Sequence, residues 1–206
     1  MLKKEFDCRL RQDYFLWQNQ IDKLMRVTLL CWMNELCSDM RFQKTTFYMS
    51  VAFTDKFLEG AQQIYGPEQL QLIGVTAVYI ASKVEEVFVP TVKIFAKSTN
   101  YSSSVRRITQ MEREMCQVIG FRLHPVTLIS WADWYTKEWD VYADANNIHS
   151  LTEMHDCAFR QFTLHAYNRY RSFMTYLDAV AIDYRGHEFA PRVIVAALLY
   201  LVIGND

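Results

Sequence analysis

The stretch at 70–86 constrains the fold more than any other part of the chain. It is almost wholly apolar or small until it ends in a lysine and two glutamates. Because a helix that is apolar all round must be buried all round, we predict the central helix of a helical bundle. Gly74, Ala77 and Ala81 recur at steps of three and four, which favours close approach of neighbouring helices. A buried helix that ends in charge indicates a binding surface rather than a catalytic pocket.

The composition disfavours several classes of protein. With 206 residues, 51% of them hydrophobic, the chain can bury a core. Its formal net charge of −1 argues against binding nucleic acid or a membrane surface by neutralising phosphate groups. Five cysteines without a CxxC pair are typical of reduced thiols, and the N-terminus has no apolar signal core. The apolar run at 193–203 is too short to span a bilayer. We expect an intracellular protein.

Helical periodicity predicts an all-α protein of nine helices, since no run alternates over the length of a strand. Pro67, Pro90, Pro125 and Pro191 each fall where a first helical turn would begin. A serine at 102–104 is predicted to cap the helix that follows. The predicted helices lie at about 10–38, 44–60, 67–84, 90–99, 104–119, 125–139, 150–170, 172–184 and 190–203.

The sequence offers no constellation for catalysis. It lacks the GxGxxG, GxxxxGK[ST], GxSxG and HExxH motifs. The nearest approach to a metal site is formed by His155, Asp156 and Cys157. Neighbouring helical residues point about 100° apart, so these three cannot bind one ion without distortion of the helix. We interpret the acidic pairs, Glu85 with Glu86 and Asp178 with Asp183, as solvated helix ends, and we expect no enzyme, cofactor or metal.

Outward from 70–86, the sequence resembles a cyclin box over about 24–206. The motifs that carry the resemblance are MRVTLLCW at 25–32, FTDKFL at 53–58, LQLIG at 70–74, ASKVEE at 81–86 and ITQME at 108–112. They place the five characteristic residues of the first box at Arg26, Asp55, Leu72, Lys83 and Glu112. Further matches, FRLHPVTLISW at 121–131, LD at 177–178 and EF at 188–189, are most similar to E-type cyclins.

The resemblance implies the cyclin fold. We expect an N-terminal helical extension at 1–23 and a five-helix first box at 24–123. A short linker at 120–125 leads to a partial second box at 124–206, with a longer segment at about 136–171. Arg26 and Asp55 are expected to form an ion pair that joins the first two helices of the box. Together with Leu72, they are expected to stabilise the fold and not to contact a partner.

The resemblance also implies a kinase-binding groove. Lys83 and Glu112 would flank it and hydrogen-bond the backbone of a cyclin-dependent kinase near its regulatory helix. The groove would be lined by Ile80, Val84, Cys116, Phe121 and Leu123, for which plain core packing is the alternative. Val84 and Cys116 are smaller than the apolar residues expected there, so the groove would be shallower or wider.

A second surface is expected on the first helix of the box. Met25, Leu29 and Trp32 share a helical face, which Glu35 continues. In cyclins this is an apolar patch that docks Arg-x-Leu peptides of substrates and inhibitors, and Leu70 and Gln71 would complete it here. Two departures are Thr28, in place of an aliphatic residue, and Cys31, in place of an acidic one.

The resemblance implies a non-catalytic, nuclear regulatory subunit that binds and allosterically activates a cyclin-dependent kinase at the G1/S stage of the cell cycle. The alternative is a cyclin-fold scaffold or transcription-related module that binds a partner or nucleic acid without a kinase. For that alternative the tract to examine is Arg169-Tyr-Arg171 with Tyr167, although the net charge disfavours nucleic acid.

Overall fold

The computed structural model describes the backbone of residues 1–3, 5, 13–136 and 164–203, and their side chains except at 164–167, 187–188 and 203. Every regular element within these residues is a helix. The chain forms two compact units, residues 1–127 and 128–206. The predicted all-α class is confirmed.

Between residues 13 and 127 the first unit contains five α-helices, as expected for one cyclin box. A short 3-10 turn at Tyr14–Leu16 precedes them. The helices are α1 (Lys23–Asp39), α2 (Lys44–Gly60), α3 (Pro67–Glu85), α4 (Val92–Ser98) and α5 (Val105–Val118).

The second unit contains three α-helices among its described residues. They are α6 (Leu128–Thr136), α7 (Leu164–Ile182) and α8 (Pro191–Ile203), with a 3-10 turn at Tyr184–Glu188 between the last two. Helix α8 packs against both α6 and α7.

Helix α3 is the centre of the first unit, as predicted. It contacts each of α1, α2, α4 and α5, and nearly every residue from Leu70 to Ser82 is buried. Gly74 lies where α1 crosses closely: a Cβ atom there would lie 2.7 Å from Cδ1 of Leu29 and 3.1 Å from Sδ of Met33. The small residue thus sets the distance between α1 and α3, because a larger one would push the two helices apart.

Two predicted helices have the wrong bounds. The stretch at 10–38 is not one helix: α1 begins at Lys23, because the Asp22 carboxylate accepts a hydrogen bond from the Met25 N–H at 2.7 Å and caps it. The break predicted at Arg171 is absent, since α7 runs through that position. The remainder of the helix predicted at 150–170, residues 150–163, lies outside the described residues.

The predictions from prolines and serines are right in part. Pro67 and Pro191 are the first residues of α3 and α8. Pro90 and Pro125 instead precede their helices, which begin at Val92 and Leu128. Ser104 is the predicted cap: its hydroxyl accepts a hydrogen bond from the N–H of the third helical residue of α5 at 3.3 Å.

A buried ion pair joins α1 to α2. The Arg26 guanidinium donates from Nε and from its second terminal nitrogen to the two carboxylate oxygens of Asp55, each at 2.8 Å, and both residues are 1% exposed. Tyr14 donates to the same carboxylate at 2.9 Å, so the segment before α1 belongs to this network. Burial alone would lower the pKa of Arg26, but the charge and hydrogen bonds of Asp55 raise it above its usual value. The bidentate geometry fixes the orientation of the two helices.

We predict that Asp55→Ala lowers the free energy of unfolding by about 3–5 kcal/mol, because it leaves the Arg26 charge buried without its carboxylate. The double variant Arg26→Met with Asp55→Leu should lose much less, since neither charge is then buried. The measurement is urea unfolding followed by circular dichroism.

The matched control is Glu59→Ala, which removes the acidic partner of a more exposed pair on α2, Lys56 with Glu59 at 2.8 Å. It should cost only about 0.3–0.5 kcal/mol. Equal losses for Asp55→Ala and Glu59→Ala would contradict the role assigned to the buried pair.

Candidate partner-binding surface

Lys83 and Glu112 form an ion pair, although they are 29 residues apart in the sequence. Lys83 lies in the last turn of α3 and Glu112 in the middle of α5. The Lys83 ammonium also lies 4.4 Å from the ring centroid of Tyr79, one turn earlier on α3. The Lys83 side chain is 38% exposed and that of Glu112 18%, so both can be reached from solvent. The structure therefore brings together the two residues that the sequence alone could not.

Partial burial changes the proton affinity of the groups around this pair. Desolvation lowers the pKa of Lys83, while Cys116 acts in the opposite direction. Burial also raises the pKa of the Cys116 thiol above its usual value, against the effect of Lys83. Cys116 is thus an uncharged thiol at neutral pH and contributes an apolar surface. The ammonium group is already partly stripped of water, so a hydrogen bond to a partner costs it less hydration.

The predicted groove residues fall into two groups. Ile80, at 2% exposed, and Cys116, at 9%, belong to the core of the first unit. Val84 and Leu123 are half-buried, and Phe121 is 67% exposed. Ile80 therefore supports the surface from beneath, and the side chains a partner would meet are those of Val84, Phe121 and Leu123.

The backbone holds Phe121 outside the core. Gly120 and Phe121 both have a positive φ, at 62° and 54°. The Phe121 N–H donates to the Cys116 carbonyl at 2.9 Å, which ends α5. A positive φ is unusual for a bulky residue and disfavours this conformation by about 1–2 kcal/mol. The chain thus keeps a large aromatic ring exposed beside Cys116 in a conformation that is locally unfavourable.

The predicted docking patch is only partly open. Leu29 and Leu70, each 6% exposed, lie in the core, and Met25 and Trp32 are half-buried above them. Glu35 is exposed at the edge of the patch. The open surface is therefore a shallow apolar area around Trp32, with a carboxylate beside it.

Gln71, the remaining predicted residue of the patch, is half-buried. Its Oε1 accepts a hydrogen bond from the Ser102 hydroxyl at 2.9 Å. The two departures, Thr28 and Cys31, are both exposed, so neither closes the patch. The Thr28 hydroxyl donates to the Leu24 carbonyl at 3.0 Å.

Glu86 is not the solvated helix end that we predicted. Its Oε1 accepts hydrogen bonds from the Gln43 N–H, at 2.7 Å, and from the Thr46 hydroxyl. Both donors lie at the N-terminus of α2, whose first N–H groups have no partner within the helix. Glu86 thus fixes the end of α3 that carries Lys83 to the start of α2. Glu85 is exposed, as predicted.

An exposed apolar loop follows α3 and was not predicted as part of the surface. Val87 and Phe88 are each 89% exposed, and Val89 is 38% exposed. The loop begins immediately after Glu86, four positions beyond Lys83. The signal in the sequence was three apolar residues before Pro90, in a connection where polar residues are usual. These side chains extend the apolar surface next to the ion pair.

Two other candidate groups from the sequence, Asp183 and the Arg169–Arg171 tract, have structural positions in the described part of the chain. Asp183 accepts from the Arg185 N–H at 2.9 Å and pairs with its guanidinium, so it serves as a helix cap. In the Arg169–Arg171 tract Tyr170 is only 7% exposed, which removes it as a platform for stacking bases. The side chain of Tyr167 lies outside the described residues.

The sequence predicts neither a metal site nor a membrane-spanning helix. His155, Asp156 and Cys157 are not described, and no group of three His, Cys, Asp or Glu side chains in the described part is placed to hold a metal ion. Among the helices that the structure describes, none combines the length and apolar character needed to cross a membrane.

Comparison with known families decides the relationship. Residues 1–124 match the family described as "Cyclin, N-terminal domain". The chain belongs to the cyclin family. The match covers helices α1 to α5 and with them the pairs Arg26–Asp55 and Lys83–Glu112.

Relatives place this cyclin near the E type. It is 36% identical over 138 residues to the G1/S-specific cyclin-E1 of Rattus norvegicus, and the aligned region covers 66% of this chain and 33% of that protein. It is 25% identical over 206 residues to the G1/S-specific cyclin-E of Hemicentrotus pulcherrimus, and the aligned region covers all of this chain and 46% of that protein. The matched regions thus span between a third and a half of these relatives.

The fold comparison agrees. The X-ray structure of a viral cyclin from herpesvirus saimiri is similar to this cyclin with a TM-score of 0.76 and 18% sequence identity, covering all of this chain and 80% of that one. At this identity the likeness supports the fold alone, and the predicted cyclin fold is confirmed.

We predict that Glu86→Ala destabilises this cyclin by about 1 kcal/mol, as expected for the loss of a capping acceptor at the N-terminus of α2. The matched control is Glu85→Ala, which removes the neighbouring exposed carboxylate and should change stability by less than about 0.5 kcal/mol. Thermal unfolding of the two variants measures the difference. Equal shifts in Tm would contradict the capping role of Glu86.

Proposed function

We propose that this cyclin binds a cyclin-dependent kinase through the surface around Lys83 and Glu112 and activates the kinase allosterically. The observation that carries the proposal is the ion pair itself, half-exposed and fixed at the junction of α3 and α5. The pair is surrounded by apolar side chains that the fold leaves open. The relationship to E-type cyclins supports a role at the G1/S stage, and we propose the nucleus as the place of action.

The pair is suited to hold a partner's backbone. A lysine ammonium has three donors, and one of them serves Glu112. The Glu112 carboxylate retains acceptor capacity beyond this one bond, so it can receive a backbone N–H. A donor and an acceptor at fixed separation match the alternating C=O and N–H groups of a polypeptide. Because both side chains are already ordered, binding costs them little conformational entropy.

Apolar contacts would supply most of the affinity. Phe121, Val87 and Phe88 are all more than half exposed, and aromatic residues, phenylalanine among them, are enriched in protein interfaces. Burying one such side chain contributes about 1.5–3 kcal/mol. We propose that the ion pair sets the register of the kinase and that the apolar side chains stabilise the complex.

The activation mechanism we propose requires no chemistry from this chain. A kinase is active when a glutamate of its regulatory helix pairs with the lysine that holds the ATP phosphates. A rigid surface that binds this helix better in its active position shifts the kinase toward that state. The shift can be no larger than the difference in affinity between the two positions.

The test removes the pair without disturbing the fold. Lys83→Ala with Glu112→Ala should lower the affinity for the purified kinase by about a hundredfold, since two charge-assisted hydrogen bonds are lost. The matched control is Lys56→Ala with Glu59→Ala, which removes the ion pair on α2. Isothermal titration calorimetry measures binding, and circular dichroism checks the helical content.

The control should bind as the wild-type chain does. Unchanged binding by the Lys83 and Glu112 variant would contradict the proposed interface. Loss of helical content in that variant would make the pair structural, and the functional assignment would fail.

We also propose that the patch of Met25, Leu29, Trp32, Glu35, Leu70 and Gln71 docks Arg-x-Leu segments of substrates or inhibitors. The half-buried Trp32 provides an apolar wall for the leucine, and the exposed Glu35 provides a charge for the arginine. Leu29 and Leu70 lie beneath this wall and hold it in place.

We predict that Trp32→Ala raises the KM of the kinase complex about tenfold for a substrate that carries Arg-x-Leu, through the loss of buried aromatic surface. Phosphorylation of a short peptide without the motif should be unchanged. Ser38→Ala, at an exposed position on the same helix, is the control and should change neither. Equal effects of Trp32→Ala on both substrates would contradict the docking role.

A further inference from the structure

Helix α4 and the first turn of α5 carry a local excess of positive charge. No acidic residue occurs from 87 to 111, whereas the same stretch contains Lys93, Lys97, Arg106 and Arg107. All four side chains are exposed. Since the whole chain has a net charge of −1, this excess is a local feature. We refer to these four residues as the basic corner.

The backbone brings the two halves of the basic corner together. Thr99 is the C-terminal capping residue of α4, and Ser104 is the N-terminal capping residue of α5. The Ser103 N–H donates to the Thr99 hydroxyl at 3.2 Å, which folds the connection back on itself. Lys97 in the last turn of α4 and the two arginines in the first turn of α5 therefore lie on either side of this hydrogen-bonded turn, and the two helices pack against each other.

The fold itself does not account for this charge. In the described part of the chain, none of the four side chains forms an ion pair or a hydrogen bond. Arg106 and Arg107 lie at the N-terminus of α5, where the helix dipole disfavours cations and favours acidic residues. An arrangement that is locally unfavourable and has no partner inside the protein is typical of a functional surface.

We propose that the basic corner binds an acidic peptide segment of a partner protein. Apolar groups accompany the charges: Ile94 is 47% exposed and Tyr101 is 70% exposed. A peptide can cover such groups with its own side chains while its carboxylates meet the arginines. Nucleic acid fits less well, because four cations are fewer than the roughly six to ten phosphate contacts of typical DNA-binding proteins.

The basic corner is continuous with the docking patch. The hydrogen bond from Ser102 to Gln71 joins the α4–α5 connection to the edge of that patch. A partner docked at Trp32 and Gln71 could therefore extend acidic residues onto the corner. The proposal does not depend on kinase binding, and it can be tested on this chain alone.

The probe is a fluorescein-labelled peptide of alternating Glu and Gly residues, measured by fluorescence anisotropy. We expect saturable binding that weakens as salt is added, and little binding of the same peptide with Gln in place of Glu. Arg106→Glu with Arg107→Glu should weaken binding about tenfold. Because acidic residues are favoured in the first turn of a helix, this variant should be no less stable than the wild-type chain.

The matched control is Arg113→Glu with Arg171→Glu, which makes the same change in net charge at two exposed positions outside the corner. It should retain the affinity of the wild-type chain. An equal loss of affinity in both variants would show that net charge alone explains the binding, and it would overturn the proposal. The absence of binding to the Glu peptide would also overturn it. If a single-stranded DNA of equal charge binds more tightly than the Glu peptide, and the variant Arg106→Glu with Arg107→Glu loses this binding, the ligand is nucleic acid and the peptide proposal is overturned.

Discussion

The buried pair of Arg26 and Asp55 is the interaction on which the rest of the first unit depends. It fixes α1 to α2, and Tyr14 adds the N-terminal segment to the same carboxylate. Helices α1 and α2 both pack on α3, so their orientation sets the position of that helix. A buried charge pair tolerates little displacement, because separating it would leave either charge without compensation. The surface at the end of α3 is therefore held by contacts made far from it.

Helix α3 unites the core and the surface of this cyclin. Its middle is buried on all sides, with Gly74 allowing the close approach of α1. Its last turn carries Lys83, and Glu86 ties its end to the first turn of α2. The exposed loop that follows is consequently anchored directly before Val87. This arrangement presents apolar side chains next to a fixed donor and acceptor, which suits the recognition of a partner protein.

Much of this could be predicted from the sequence. The apolar character of 70–86 predicted the central helix, and the family motifs pointed to Lys83 and Glu112. Their pairing across two helices depends on tertiary packing, which periodicity does not report. The role of Glu86 was missed because its donors, Gln43 and Thr46, are distant in sequence. The resemblance assigned Ile80 to the groove, whereas its burial depends on which neighbouring helix covers it, and the sequence does not show this.

We propose that this cyclin shifts a cyclin-dependent kinase toward its active state. The most direct measurement combines the purified chain with individual purified cyclin-dependent kinases, isolates any complex, and measures histone phosphorylation by that complex. We expect a stable complex with at least one kinase and a many-fold rise in the activity of that kinase over the kinase alone. Failure of every kinase to bind, or binding with no rise in activity, would contradict it.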